Sequence, residues 1–414
     1  MKTHSNDLGS ESINRRAFLK AGLAGTVTLA AGPAALGVQG ANDSISIGCI
    51  GVGGRGTALL GEILALASKE NVQVTAVCDV WQKNRQAAAK RIQSKLGREP
   101  RQFSRFSELL ALTDLDAVVI ATPDFSHGPI LTAALKAGKD VYVEKPMTID
   151  LASANEALDL ARAKERVVQA GTQRRSEGKF RGAAKLYASG VLGKVSRIDA
   201  AAYFNQSRWT RASTDCQASD VDWEAFLLHL PKRPFDARLL RQWQLYRETS
   251  NGLPGLWMTH YADLVHLITG TKFPVSAVAH GGVYVWKDGR DTSDTFQALV
   301  EYPEGFLFSW GMGLGNSAGG RFGIYGTKGT MDPEKGTVSP EGGSDSNVVE
   351  GVVPAEPNQS HMGNWLQCLR SRQRPNADIE FGHEHAVTTI MTAIALQTGQ
   401  RQRYDPVKRT ISAG

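Results

Sequence analysis

The run Gly51-Val52-Gly53-Gly54-Arg55-Gly56 has G-x-G-x-x-G spacing, and an acid, Asp79, stands 26 residues beyond Gly53. Glycines so spaced allow a tight turn at Gly51 and let a pyrophosphate touch the backbone at Gly53. The last, Gly56, lets a helix pack closely on a strand. The whole run, Gly54 and Arg55 included, is expected to line the phosphates at the N-terminus of the following helix, where unpaired N–H groups favour negative charge. Asp79 lies near the roughly 20-residue spacing of the acid that takes the adenosine ribose hydroxyls. A carboxylate there repels a 2′-phosphate, so NAD is expected rather than NADP. Asp79 is equally placed to cap a helix that begins near Trp81.

Hydride transfer from an alcohol needs a base for the hydroxyl proton. Lys145, in Glu144-Lys145-Pro146, can serve if burial lowers its pKa. A solvated loop lysine is the competing reading. His260 is a second candidate, with Asp263 three residues on and able to orient its imidazole. Thr122 and His127 follow an apolar run and are placed to face the cofactor, and Gln173 and Arg174 are candidates for cofactor or substrate oxygens. Trp209 and Trp257 lie in the tryptophan-rich stretch 206–258, and their flat faces suit sugar C–H groups. Core filling explains them as well. His260, Asp263 and His266 do not share one tight face, so no metal site is expected.

The elements that must position these groups alternate. Ser44–Ile50, Val72–Cys78, Asp116–Ala121, Asp140–Val143 and Val167–Ala170 read as buried strands, and helix-like segments separate them. Open parallel sheets of this kind bind ligands beyond the carboxyl ends of their strands. Thr122 and Lys145 occupy such ends. A domain boundary is expected near Arg174, giving a dinucleotide-binding domain over 42–174 and a second domain over 175–414. In the latter, Val275–Gly282, Asp294–Tyr302 and Phe306–Met312 read as strands, and Glu341–Asn347 as a glycine- and serine-rich loop.

The chain has 414 residues and a formal charge of +6, with no clustered basic stripe, which argues against nucleic acid as a partner. Its first 41 residues are expected to be an export signal. Asn14-Arg15-Arg16-Ala17-Phe18-Leu19-Lys20 resembles the twin-arginine motif, and Ala21–Ala31 forms a mild apolar region too short and polar to span a bilayer. Cleavage is expected between Ala35 and Ala41. The implied partner is the twin-arginine export machinery, the destination is the periplasm or beyond, and no stable membrane anchor is expected. The four cysteines read as buried thiols.

Gly51–Gly56, Cys78-Asp79, Ala121-Thr122-Pro123 with His127, Glu144-Lys145-Pro146 and Gly171-Thr172-Gln173-Arg174, in this order, resemble the Gfo/Idh/MocA family of glucose-fructose oxidoreductase and inositol dehydrogenase. Gly326-Thr327-Lys328-Gly329-Thr330 extends the resemblance. It implies an α/β protein: a Rossmann domain followed by an α/β domain with a large, mainly antiparallel open sheet. It also implies a catalytic Lys145, Glu144 on the cofactor side, a sugar or cyclitol substrate and pairing of copies through the open sheet. Family members similar to inositol dehydrogenase carry an acid four residues before the histidine. Here that residue is Leu256.

Free NAD is scarce outside the cytoplasm, so an exported enzyme of this kind is expected to hold its cofactor tightly and recycle it. Three readings stay open. One is an oxidoreductase acting on a sugar, glycoside or cyclitol hydroxyl. Another is an NAD-dependent glycoside-cleaving hydrolase or lyase working through transient oxidation. The third is a non-catalytic NAD-holding protein.

Overall fold

The computed structural model describes residues 44–342 and 348–414. The expected signal over 1–41 lies outside the described residues, as does most of the expected loop Glu341–Asn347.

The first sheet has six strands in the order β3-β2-β1-β4-β5-β6. These are β1 (Ile45–Ile50), β2 (Val72–Cys78), β3 (Arg101–Phe103), β4 (Ala117–Ile120), β5 (Asp140–Val143) and β6 (Val168–Ala170), all paired in parallel. Every residue of β4, β5 and β6 is buried, which is why they read as unbroken apolar runs. Helices α1 (Gly54–Leu66), α2 (Gln82–Leu96), α3 (Phe106–Leu110), α4 (Asp124–Lys136) and α5 (Leu151–Ala163) connect them. Strand order reverses between β1 and β4, so the loops after these two strands flank the crevice where such sheets bind ligands.

The second sheet has ten strands, ordered β14-β13-β12-β11-β7-β10-β9-β8-β15-β16. Helix α6 (Gly178–Ala188) leads into β7 (Val195–Asn205), whose pairing with β10 is the one parallel contact between described strands of this sheet. Short helices α7 (Trp223–Leu227) and α8 (Ala237–Arg241) interrupt the long irregular stretch that follows, before α9 (Thr259–Thr269). Then come β8 (Ser276–Gly282), β9 (Thr295–Tyr302), β10 (Phe306–Gly313), β11 (Gly315–Gly326), β12 (Gly329–Asp332), β13 (Thr337–Pro340) and β14 (Gly351–Val352). Helices α10 (His361–Ser371) and α11 (Ile379–Thr398) precede the final hairpin of β15 (Gln402–Asp405) and β16 (Thr410–Ala413). One sheet face packs on α6, α9 and α11, through Phe180, Leu264, Val265, Val387 and Met391 against Phe296, Phe308 and Trp310. Along β9, Gln297, Leu299 and Glu301 alternate outward on the other face.

One element departs from the expected division at Arg174. Helix α10, 190 or so residues further on, packs Met362, Trp365, Leu366 and Leu369 into the core of the first sheet beside Ile47, Leu59 and Ile63. Its apolar stripe is amphipathic and matches the face that α1 leaves open, so the first domain is completed from the far end of the chain.

Candidate active site

A cavity of about 430 Å³ opens at the carboxyl ends of β1, β2, β4 and β5, within the size range of small-molecule sites. Gly51, Gly53, Gly54, Arg55, Asp79, Thr122, His127, Glu144, Lys145, Gln173 and Trp209 all line it. Gly51 sits at φ +80°, and a Cβ there would come within 2.8 Å of the Ala121–Thr122 backbone. At Gly56 a Cβ would lie 1.9 Å from the Gly51 carbonyl oxygen. Only glycine allows this crossing of helix and strand. Helix α1 begins without a side-chain cap, so its first-turn N–H groups face the crevice unsatisfied. That is the arrangement a pyrophosphate requires, and the residues present fit a dinucleotide.

Asp79 stands between the glycine turn and α2, whose N-cap residue is Trp81. Its carboxylate accepts hydrogen bonds from Val52 N (2.9 Å), Trp81 N (2.9 Å) and Asn84 Nδ2 (3.2 Å), tying the glycine turn to the start of α2 while still lining the cavity. Arg55 and Glu144 pair with each other, Nε to Oε1 at 2.6 Å. Their charges offset, so phosphate recognition falls to the main chain.

Lys145 donates from Nζ to the Leu256 carbonyl at 2.5 Å, and the Lys145–Pro146 peptide is cis. Burial lowers its pKa, with Glu144 and Asp124 pulling the other way and Arg55 and Arg208 adding to the fall. Leu256 lies in a π-helical turn, Pro254–Met258, that runs directly into α9. His260 therefore stands one turn beyond the group that holds the lysine. Burial, then the charges of Lys145 and Arg174, push its imidazole well below the usual range. Its Nδ1 has no partner among the described residues. His260 is not among the residues that line the cavity.

Several expected contacts fall elsewhere. Asp263 does not orient His260. It is 1% exposed, accepts from Arg175 Nε at 3.0 and 3.2 Å, and faces His385 Nδ1 at 3.4 Å. The three-residue step turns it away from His260 and toward this buried cation. Arg174 is not a cofactor contact: its guanidinium pairs with Glu334 and lies over the rings of Phe180 and Tyr261. His127 borders the cavity, but Nδ1 faces the Pro146 carbonyl (2.7 Å) and Nε2 the Thr122 carbonyl (2.8 Å). Both nitrogens are engaged by main chain, so it braces the ends of β4 and β5 rather than binding cofactor. Trp257 packs against Phe204 at 5.2 Å and, unlike Trp209, does not line the cavity.

Asp124 was not among the expected site residues. It lines the cavity, is 1% exposed and accepts from Ser250 Oγ at 2.7 Å. Burial raises its pKa to about 7 against that hydrogen bond and the charge of Lys145. Its position directly after Thr122-Pro123 was the available signal, but an acid in a helix's first turn reads first as a dipole contact.

The stretch 206–250 also forms part of the site. Trp209, Arg211, Phe226, Leu240, Arg241, Trp243 and Gln244 close the cavity opposite the sheet edge. Val221 makes an antiparallel bridge to Trp81. Asp222 donates its N–H to the Val80 carbonyl (2.9 Å), and its carboxylate accepts from Ser104 Oγ (3.0 Å) and Arg105 Nε (3.0 Å). Lys83 reaches Asp215 at 2.8 Å. A covering segment from the second half is thus fastened over the part of the crevice bordered by Val80, Trp81 and Ser104. Among the described residues, no cluster of side chains could hold a metal, and no helix is long and apolar enough to cross a membrane.

Comparison with known proteins agrees with this geometry. Residues 45–172 match the model "Oxidoreductase family, NAD-binding Rossmann fold", and residues 229–332 match the Gfo/Idh/MocA C-terminal domain. The uncharacterized oxidoreductase YdgJ of Escherichia coli is 28% identical over 54% of this chain and 56% of its own. A glycosyl hydrolase family 109 protein of a Shewanella strain is 33% identical over 37% of this chain and 38% of its own. The chain thus spans about half, or less, of the length of these curated relatives. Among solved structures, the WlbA dehydrogenase of Bordetella pertussis, in complex with NADH and UDP-GlcNAcA, shares the fold. Its TM-score is 0.66 at 20% identity, covering 87% of this chain and 99% of that one. With both family domains matched in order on a Rossmann sheet and a mostly antiparallel one, the chain belongs to the Gfo/Idh/MocA family of NAD-binding oxidoreductases.

Proposed function

We propose that the protein oxidises a hydroxyl of a sugar, glycoside or cyclitol with an NAD that stays bound and is recycled within each reaction cycle. The observation that carries this is Lys145. Half-buried and held on the Leu256 carbonyl, it lines the same cavity as the glycine loop.

NAD, when bound, supplies the hydride acceptor for the carbinol carbon. The chain's own residues do the rest. The α1 N-terminus and Asp79 bind and orient. Lys145, with its pKa lowered, takes the hydroxyl proton as the carbonyl forms, and His260, one helical turn beyond the Leu256 carbonyl that holds the lysine, is the second candidate to accept or return it. The covering segment excludes water. A charged 2′-phosphate would meet Asp79, which favours NAD over NADP.

Retention follows from the covering segment. Its fastenings to Val80, Trp81, Ser104 and Arg105, which hold it over the cavity, support this part of the reading. Export by the twin-arginine route, which carries folded proteins, fits a protein that brings its cofactor along.

A second reading is supported by the similarity to the glycosyl hydrolase family 109 protein. In this second reading, transient oxidation of the sugar labilises a glycosidic bond by elimination, and the hydride is returned. Purified protein incubated with a panel of sugars and aryl glycosides separates the two. Net oxidation of one sugar with reduction of another supports the first, and a released aglycone without net redox change supports the second. The Lys145→Ala variant is expected to keep its NAD and lose turnover by a factor of about 10² to 10⁴. Near-normal turnover would exclude the lysine as the base.

A further inference from the structure

The covering segment brings two cations to the cavity wall, Arg211 and Arg241. Hydrogen bonds lace them together. Arg241 Nε donates to the Ala212 carbonyl at 3.0 Å, Gln242 Nε2 to the Arg211 carbonyl at 2.6 Å, and an Arg211 terminal nitrogen to the Arg241 carbonyl at 3.4 Å. Among the described residues, Arg211 has no acid within ion-pair distance, and Asp215 pairs with Lys83 at 2.8 Å while standing 3.9 Å from Arg241. Like charges held side by side repel, so a fold that fixes them against open space leaves a place for an anion.

Neighbours at either end set their position along the cavity. Arg241 lies over the Trp81 ring, 4.8 Å from Cζ to centroid, and the Trp81 N–H donates to Asp79. At the other end, Trp209 and Trp257 flank Arg208 at 5.7 and 5.3 Å, and Trp257 follows Leu256, whose carbonyl holds Lys145. Trp209 is two residues before Arg211, a span of at most about 7 Å. Arg211 thus stands between the lysine end and the Asp79 end. In a dinucleotide with its nicotinamide at Lys145 and its adenosine ribose at Asp79, the group between them is the pyrophosphate. The uncapped start of α1, with no acid in its first turn, borders the same cavity from the first domain.

We infer that Arg211, with Arg241 beside it, closes on the cofactor's pyrophosphate from the second domain, opposite the α1 N-terminus. This deepens the retained-cofactor reading above and rests on it. On the first domain's side the contacts are main-chain, because Arg55 is paired with Glu144. The covering segment adds the side-chain charge. A guanidinium offers paired N–H donors to phosphate oxygens, and two cations match the two charges of the pyrophosphate. Since the covering segment carries Arg211, the nucleotide itself helps to fasten that segment. Arg211 is also exposed, so salt screens its charge.

The test follows the release of NADH from the purified protein by stopped-flow fluorescence, for the native chain, Arg211→Met and Arg211→Lys. Melting temperature checks the fold of each. Release from the native protein is expected to quicken between about 0.05 and 0.5 M sodium chloride. Arg211→Met is expected to release NADH roughly tenfold faster at the lower salt and to lose part of that salt dependence, with Arg211→Lys between the two. ADP-ribose, which carries the pyrophosphate, should bind roughly tenfold more weakly to Arg211→Met. Adenosine, which lacks it, should bind both proteins equally.

Unchanged NADH release in Arg211→Met overturns the inference. So does equal weakening of ADP-ribose and adenosine, the mark of a structural effect only. A native preference for NADPH over NADH that Arg211→Met abolishes, with NADH release unchanged, assigns the arginine to a 2′-phosphate and overturns the pyrophosphate contact. Loss of sugar binding with NADH release unchanged assigns it to the substrate and does the same. If Arg211→Met does not fold, the comparison of Arg211→Lys with the native protein decides. A protein that keeps NAD(H), oxidises a sugar and is indifferent to Arg211 keeps the proposed function and loses this inference. One that neither holds nor takes up NAD(H) loses the function itself.

Discussion

Lys145 lies between opposing influences: burial and the cations Arg55 and Arg208 favour the free amine, and Glu144 and Asp124 favour the ammonium. A base must be unprotonated, so kcat/KM should rise with pH along a limb set below the ordinary lysine value. Asp124→Asn removes one of the two charges that hold the proton on. The limb should therefore move to lower pH, visible in a pH–rate profile, and an unmoved or alkaline-shifted limb would contradict this role for Asp124. Much of this site was legible from residue types. Glycine spacing, the acid after β2 and a lysine at a strand end all lie together around one cavity. Asp124 was not legible. The chemistry of Asp124 comes from its burial beside Lys145, and local sequence does not show which residues the fold will bury together.

At the scale of elements, α9 does more than present His260. Its Asp263 is held at about pKa 2: burial would raise it, but Arg175 and His385 outweigh that effect. A carboxylate depressed in the folded state stabilises above its unfolded value near 3.9, and that stability fades as pH falls toward 2. Thermal melts should show a step of this kind that Asp263→Asn abolishes. Arg175→Met, which leaves the acid buried without its cation, should cost about 3–5 kcal/mol at neutral pH. The covering segment carries its own prediction. Asp222→Ala removes the contacts to Ser104 and Arg105 and the cap of α7, where Asp222 accepts from Ala225 N. NADH should then leave roughly tenfold faster in a stopped-flow release experiment. An unchanged rate would separate this segment from cofactor retention. Sequence patterning succeeded for the apolar parallel strands and for β8, β9 and β10. It failed for β11, whose Gly-Asn-Ser-Ala-Gly-Gly opening carries no apolar alternation although the strand pairs along β7. It also failed to place α10, because an amphipathic stripe does not say which sheet it will cover.

For the whole molecule, two expectations remain proposals that the fold makes concrete. Among the described residues, the ten-stranded sheet keeps one face free of helices, with Leu299 at 43% and Leu307 at 38% exposure on it. Pairing of copies through that face predicts a dimer or larger assembly by light scattering, and a monomer would contradict it. Export predicts that a fusion carrying residues 1–41 reaches the periplasm folded, and that replacing Arg15 and Arg16 with lysine holds it in the cytoplasm. Both depend less on contacts within the chain than on surfaces and signals outside its cores. The twin-arginine motif suggested export, and the family resemblance suggested pairing, before any geometry did.

The most direct measurement is of the nucleotide that accompanies the protein. Native protein, purified by gel filtration without added cofactor, is denatured, and the released small molecules are identified by mass spectrometry. Near-stoichiometric NAD(H) is the predicted result. A folded protein that releases none, and takes up none when NAD or NADH is supplied, would contradict the account at its centre.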